Sequence, residues 1–438
     1  MAKKRYVQVG LGSRSSMYLD AIMKDYKDIA EITGVCDSNM KRLEFSLSEA
    51  VKRNSYDVDI KAYNYLDFDK MIEEQKPDVV IVTSMDRTHH KYICRAMELG
   101  CDVITEKPMT VDAEKCQQIV DTQKATGKSV TVTFNYRYSP RNTKVKELIK
   151  SGAIGDVTSV HFEWVLDTKH GADYFRRWHR DKLNSGGLLV HKSTHHFDLV
   201  NWWLDSEPET VFAMGRLAFY GRENAENRGV KTFYSRALDS EIAKDDPFSI
   251  DLAGSENLKG LYLDAESEDG YERDQSVFGY NINIEDNMSV LVRYKNKVQM
   301  SYSLNAHSPW EGYRVMFNGT KGRLEFNVKE NSYVSGGNDD INLTLNREDD
   351  KPVENTTPEI ILQHHWAKPV EITYEKGVGG HGGGDIRLLR DLFYGVEDNS
   401  LGHAAGIEDG AMSILTGIAA NKSIATGLPV EIKTLVEL

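Results

Sequence analysis

The sequence predicts an α/β protein. A doubly wound parallel sheet is expected over residues 1–134, and an α+β part with a large, mostly antiparallel sheet over residues 135–438. Three observations carry this. Strand and helix signals alternate through the first part, as in a parallel sheet crossed by helices. Val79-Val-Ile-Val-Thr83 is an unbroken apolar run, which a strand buried on both faces requires. From Ser289 onward, short segments alternate apolar and polar residues, as strands with one buried face do. A chain of 438 residues also exceeds what one core usually holds, so two domains are expected.

The elements follow in order. Tyr6–Gly10 reads as a strand, and residues 15–26 as a helix with Met17, Tyr18, Ala21 and Ile22 on one face. Ile32–Asp37 is a second strand. After the run at 79–83 comes a helix with Ile93, Ala96 and Met97 inward, a strand at Asp102–Thr105, a helix from Asp112 and a strand at Ser129–Phe134. Asn135-Tyr-Arg-Tyr-Ser-Pro140 is the expected crossover between domains. A helix over Asn142–Ser151 and a strand over Val157–Leu166 open the second part. Ser289–Tyr294, Val298–Leu304, Arg314–Asn318 and Arg323–Asn327 read as antiparallel strands, and helices at Asp385–Val396 and Ile407–Thr426 close the chain, able to pack back on the first domain. The acidic segment from Ser206 to about Asp286 reads as an insertion over a cleft or at a subunit contact. Its run Glu266-Ser-Glu-Asp-Gly-Tyr-Glu-Arg-Asp274 reads as a solvated face.

The first strand–helix junction carries Gly10-Leu-Gly12-Ser13-Arg14-Ser15. Gly10 permits a tight turn, and Gly12 lets the backbone approach a pyrophosphate at the helix start. Ser15 stands where a third glycine is usual, and is small enough for close helix–strand packing. Asp37 ends the second strand, at the spacing expected of a residue that accepts the ribose hydroxyls. A 2′-phosphate would meet that carboxylate, so NAD is favoured over NADP. Arg42 nearby could still partner a phosphate.

Thr83-Ser-Met-Asp-Arg-Thr-His89 and Glu106-Lys107-Pro108 each follow a buried strand. With the glycine turn, they resemble the glucose–fructose oxidoreductase / inositol dehydrogenase / MocA family. Gly152-Ala-Ile-Gly155, Ser185-Gly-Gly-Leu-Leu-Val-His-Lys-Ser-Thr-His195-His-Phe-Asp198 and Asn318-Gly-Thr-Lys-Gly322 are similar to its second-domain signatures. The resemblance implies a Rossmann domain whose cofactor meets a sugar or cyclitol at the domain junction. It implies hydride transfer between nicotinamide and a carbon bearing a hydroxyl group. Lys107 is implied as the acid/base, because alcohol oxidation needs a proton acceptor beside the ring. Gly10, Gly12, Ser13, Arg14, Ser15, Asp37, Arg42, Thr83, His89, Glu106 and Lys107 are the expected cofactor residues.

The family pattern Asp–x–Gly–x–His–x–x–Asp reads here as His191-Lys192-Ser-Thr-His195-His-Phe-Asp198. His195 and Asp198 match, and His195 is the second acid/base candidate. His191 replaces the usual Asp and is a third catalytic candidate. Expected substrate residues are Asn135, Arg137, Arg177, His179, Lys192, Asp198, Tyr271, His307, Tyr313, His381 and Asp385. Gly380-His-Gly-Gly-Gly-Asp385 is similar to a run in the NAD-dependent glycosidase branch, whose members keep NAD bound and oxidise C3 of a sugar transiently. Two alternatives therefore stand beside the dehydrogenase: such a glycoside hydrolase or eliminase, and a non-catalytic dinucleotide-binding regulatory protein.

Other classes are disfavoured. The net charge of −13 repels phosphate backbones, so no nucleic-acid partner is expected. No apolar run suits a membrane span, and no signal segment opens the sequence. Four cysteines without a CxxC pair suit a reducing cytoplasm. Asn-x-Ser/Thr triplets such as Asn342-Leu-Thr344 are read as chance. His191, His195, His307, His381 and Asp385 could bind a divalent metal, but their spacings are long and no metal is expected. A homo-oligomer through the second sheet is expected from the resemblance.

Overall fold

The computed structural model describes residues 2–334 and 359–437; Asn342–Thr344 lies outside them. Six parallel strands form the first sheet: β1 (Lys4–Val9), β2 (Ala30–Asp37), β3 (Lys61–Asn64), β4 (Val79–Val82), β5 (Asp102–Thr105) and β6 (Val130–Val132). Their order is β3-β2-β1-β4-β5-β6. The strand order reverses between β1 and β4, which opens a crevice at the carboxyl ends of the strands, where ligands of such sheets bind. Val79 to Val82 are all buried, as the apolar run demands.

The second sheet comprises β7 (Val157–Asp167), β8 (Pro208–Arg216), β9 (Asn287–Tyr294), β10 (Gln299–Ser308), β11 (Gly312–Gly319), β12 (Gly322–Lys329), β13 (Ile360–His364), β14 (Val370–Glu371) and β15 (Val430–Glu431). The order is β14-β13-β12-β11-β7-β10-β9-β8-β15. The sheet is mixed rather than purely antiparallel, because β7 and β10 run parallel. Strand β9 alternates exposed and buried residues without a break, so one face packs and one faces outward.

The closing helices tie the two sheets together. Gly410, in the helix Ile407–Thr426, lies against Val132 and Met109, where a methyl group would approach to 2.8 Å. Phe393, in the last turns of Gly380–Tyr394, stacks on Tyr26 with ring centres 4.7 Å apart.

Two expectations need correction. The helix expected over 15–26 is α-helical only over Ser15–Asp20 and continues as a wider π-type turn over Ala21–Asp25. The acidic run at 266–274 is a solvated face only in part: residues 267–270 and Glu272 are exposed, but the run also makes ion pairs and its end is buried. Asp274 is buried, Glu266 pairs with Arg236 at 2.6 Å, and Asp269 pairs with Arg42 of the first domain at 2.8 Å. Charge patterning on one segment could not reveal partners supplied from elsewhere in the chain.

Candidate active site

The glycine turn is built as its residues require. Gly10 has φ +91°, and a Cβ there would lie 2.5 Å from the Ser84 backbone. Thr83 Oγ1 donates to the Gly10 carbonyl at 2.6 Å and fixes the turn against β4. Gly12 is different: a Cβ would meet nothing within 4 Å. Among the described residues no neighbour demands glycine at this position, whereas a pyrophosphate approaching the backbone would. Ser15 is buried, and its Oγ donates to the Gly12 carbonyl at 2.7 Å, closing the turn in place of the third glycine. The open approach at Gly12 fits a dinucleotide.

The contrast between the glycines is testable. Gly10→Ala is expected to cost about 1–3 kcal/mol in urea unfolding. Gly12→Ala is expected to leave stability within about 0.5 kcal/mol. By calorimetric titration it should still weaken NAD binding by tenfold or more.

Asp37 and Arg42 stand next to the glycine turn. Asp37 accepts the amides of Leu11 at 2.6 Å and Asn39 at 2.8 Å. Arg42 lies 3.8 Å from Asp37 and donates to Asp269 and to the Leu261 carbonyl at 3.0 Å. Asn39 donates to the Ala265 carbonyl at 2.9 Å. Residues 255–271 therefore form a strap from the second domain that closes over the first. Its apolar residues Leu258, Leu261 and Tyr262 pack with Phe45. Tyr262 also reaches the Ser13 hydroxyl. The strap lies within the segment read as an insertion over a cleft or at a subunit contact; its partners in the first domain and Tyr262 escaped sequence reasoning, because neither residue spacing nor local periodicity marks a long-range clasp.

Lys107 follows β5, and the Lys107–Pro108 peptide is cis. Burial pushes its ammonium below the ordinary lysine range, against the opposing pull of Glu106 and Asp86. Glu106 accepts from Arg14 Nε at 2.6 Å and Tyr18 Oη at 2.8 Å. Burial pushes the Glu106 carboxyl up, but Arg14 and Lys107 outweigh it and hold it low. His89 is held by the backbone: its ring nitrogens sit 2.9 Å from the carbonyls of Pro108 and Ser84. Its role is to pin the segment that carries Lys107.

The second domain adds three histidines to the field of Lys107. Burial and that ammonium drive His179, His191 and His195 well below the ordinary histidine range, so their rings are neutral. His195 lies against Tyr136 at 4.8 Å, and its Nδ1 has no partner among the described residues. His191 Nδ1 lies 2.5 Å from Asp86 Oδ2. Asp86 was not singled out from the sequence, although it sits inside the quoted segment 83–89. Burial raises its carboxyl to about 7.

The remaining candidates divide. Asn135 donates to Asp385 at 2.6 Å, and His381 Nδ1 lies 3.0 Å from the same carboxylate. Arg14 reaches Asp385 at 3.7 Å, which joins this group to the glycine turn. Burial pushes Asp385 up, but His381 and Arg14 prevail and keep it ionised. Lys192 stands 5.0 Å over the Trp164 ring. Arg177 pairs with Asp173 at 3.3 Å, and its charge reaches Tyr271. Asp198, Arg137, Tyr313 and His307 are placed otherwise. Asp198 is engaged by Arg137 through two bonds of 2.8 and 2.6 Å. Tyr313 is a fully buried core ring stacked 4.4 Å from Trp164. His307 stacks on Phe219 at 4.7 Å instead of joining the other histidines.

A Rossmann crevice, a glycine turn open on one side and a half-buried lysine near it have the architecture of a dinucleotide-binding protein. Residues 4–134 match the family described as "Oxidoreductase family, NAD-binding Rossmann fold", and residues 146–432 match its "C-terminal alpha/beta domain". The chain belongs to the Gfo/Idh/MocA oxidoreductase family. It is 36% identical over 452 residues to YteT of Bacillus subtilis (strain 168), whose name carries the word oxidoreductase and no substrate; 99% of each chain is covered. It is 27% identical over 198 residues to "Glycosyl hydrolase family 109 protein 1" of Akkermansia muciniphila, covering 43% of this chain and 40% of that one. The relatives also include inositol and D-glucoside dehydrogenases. Among solved structures, the WlbA dehydrogenase of Bordetella pertussis, in complex with NADH and UDP-GlcNAcA, superposes with a TM-score of 0.63 at 16% identity, covering 98% of this chain and 99% of that one. Among the described residues, no helix is long and apolar enough to cross a membrane.

Proposed function

We propose that this chain is an NAD-dependent oxidoreductase acting on a secondary hydroxyl of a sugar, glycoside or cyclitol. The observation that carries the reading is the environment of Lys107, an amine depressed by burial beside the dinucleotide turn. Bound NAD supplies the hydride acceptor. The Lys107 amine takes the hydroxyl proton as the carbonyl forms. His195, neutral and with an unpartnered Nδ1, offers a second proton acceptor in the same field. Asn135, His381 and Asp385 present a polar wall suited to sugar hydroxyls. NAD is favoured over NADP because Asp37 faces the ribose end while Arg42 is spent on Asp269 and Leu261.

The strap favours a second reading, redox-neutral glycoside hydrolysis or elimination. Its contacts through Asn39, Arg42 and Phe45 close over the end of β2 beside Asp37. A cofactor so enclosed suits chemistry that restores it within each turnover. The named glycosyl hydrolase relative supports the same reading.

One experiment tests both. The purified chain is offered a panel of methyl and nitrophenyl glycosides and inositols, with added NAD. Net oxidation is expected to raise the NADH absorbance in step with substrate loss. Aglycone release without free NADH would replace the first reading by the second. NAD binding without turnover on any substrate of the panel would count against both and favour a regulatory role.

A further inference from the structure

Asp86, His179 and His191 come from three separate turns and two domains. Asp86 opens the turn Asp86–Thr88 after β4, His179 sits in the turn Trp178–Arg180, and His191 ends the short helix Leu188–His191. One ligand atom from each lies within 4.8 Å of the other two. We propose that these three side chains form a binding site for a divalent transition-metal cation at the edge of the Lys107 pocket.

The argument begins with the donors. Two imidazoles and one carboxylate form a set suited to borderline cations such as Zn²⁺, Co²⁺ or Mn²⁺, whereas Mg²⁺ and Ca²⁺ prefer oxygen alone. His179 is 2% exposed, and its Nδ1 has no hydrogen-bond partner among the described residues. A buried unpaired ring nitrogen is costly unless something occupies its lone pair. The rings of His179 and His191 meet at 4.2 Å and 72°, so they converge rather than stack. Trp178 stacks on His179 at 3.6 Å and holds its plane.

His191 Nδ1 and Asp86 Oδ2 stand 2.5 Å apart, a hydrogen bond for which one of the two groups carries the proton. Ligands held about 2.0–2.2 Å from a cation need to stand about 3–3.5 Å apart. Binding therefore displaces that proton and separates the pair by less than an ångström, while His179 swings inward. The cation keeps further coordination positions for substrate oxygen and disfavours the charged form of Lys107 nearby. The site would thus take the oxygen of a polyol or ketone beside the amine. This inference does not depend on the redox reading, since metal binding is read without turnover.

The test uses the full chain, freed of metal by a chelator and carrying no histidine tag. Titration with Zn²⁺ alone is expected to give one equivalent bound per chain. Cu²⁺ as a spectroscopic probe is expected to give an electron paramagnetic resonance spectrum with splitting from two imidazole nitrogens. His179→Ala is expected to lower Zn²⁺ affinity about a hundredfold or more, with the circular dichroism spectrum unchanged. Should that variant misfold, the Cu²⁺ spectrum of the wild-type chain decides alone. Uptake well below one equivalent, a spectrum without two-nitrogen splitting, or unchanged affinity in a folded His179→Ala would overturn the site.

Discussion

Lys107→Met is expected to lower turnover of a responsive glycoside about 10²–10⁴-fold, the range a positioned acid/base supplies. NAD affinity, measured by titration, is expected to stay close to that of the wild type. The pH dependence has a definite sign. Burial places the Lys107 ammonium below the ordinary lysine range, so the reactive amine gains population as pH rises through that depressed pKa. Oxidation rates should fall as pH drops through it, and this limb should vanish in Lys107→Met. Glu106 favours the charged form of Lys107, so Glu106→Gln should shift the limb to lower pH. Stability follows the same linkage. A lysine depressed in the fold opposes folding below its folded pKa, and the cost fades as pH rises to the unfolded value. The stability gained in Lys107→Met should therefore be larger at acidic than at alkaline pH. Wild-type turnover by the variant would remove Lys107 from the chemistry.

Much of the fold was legible because it rests on local signals. The apolar run at 79–82 became a fully buried strand, and the helix Ile407–Thr426 has the bounds its pattern indicated. The glycine turn was readable because Gly10 answers to a backbone requirement at positive φ. The parts that failed depend on distant partners. The acidic run at 266–274 looked solvated because Arg42 and Arg236, which neutralise part of it, lie far away in the chain. His89 and Tyr313 were polar or aromatic residues near motifs, yet one pins a backbone segment and the other fills a core. Asp86 was overlooked because its importance comes from His191, a hundred residues on, and no one-dimensional pattern records that contact. The strap, likewise, is a property of packing between domains.

Asp198→Ala separates a structural role from a substrate role. Its carboxylate and the Arg137 guanidinium are both buried, with side-chain exposures of 1% and 3%. Arg137 also donates to Asp409 at 2.8 Å and to the Gly402 carbonyl at 3.0 Å. Removing Asp198 leaves a buried cation with only part of its compensation, which costs about 3–5 kcal/mol. The retained Asp409 places the expected loss near the lower end. Urea unfolding should report it, and Arg137→Met combined with Asp198→Leu should recover much of it, because the one charge left without its partner, Asp409, reaches solvent. Had Asp198 served the sugar, the single variant would raise KM at unchanged stability. The pair also governs chemistry indirectly. Asp198 lies one turn along the buried helix Thr194–Leu204 from His195, and Arg137 anchors that helix to the crossover that carries Asn135. Loosening this clamp should therefore disturb two walls of the pocket together. A fall in kcat accompanying the loss of stability, rescued by the double replacement, is the signature of a positioning pair.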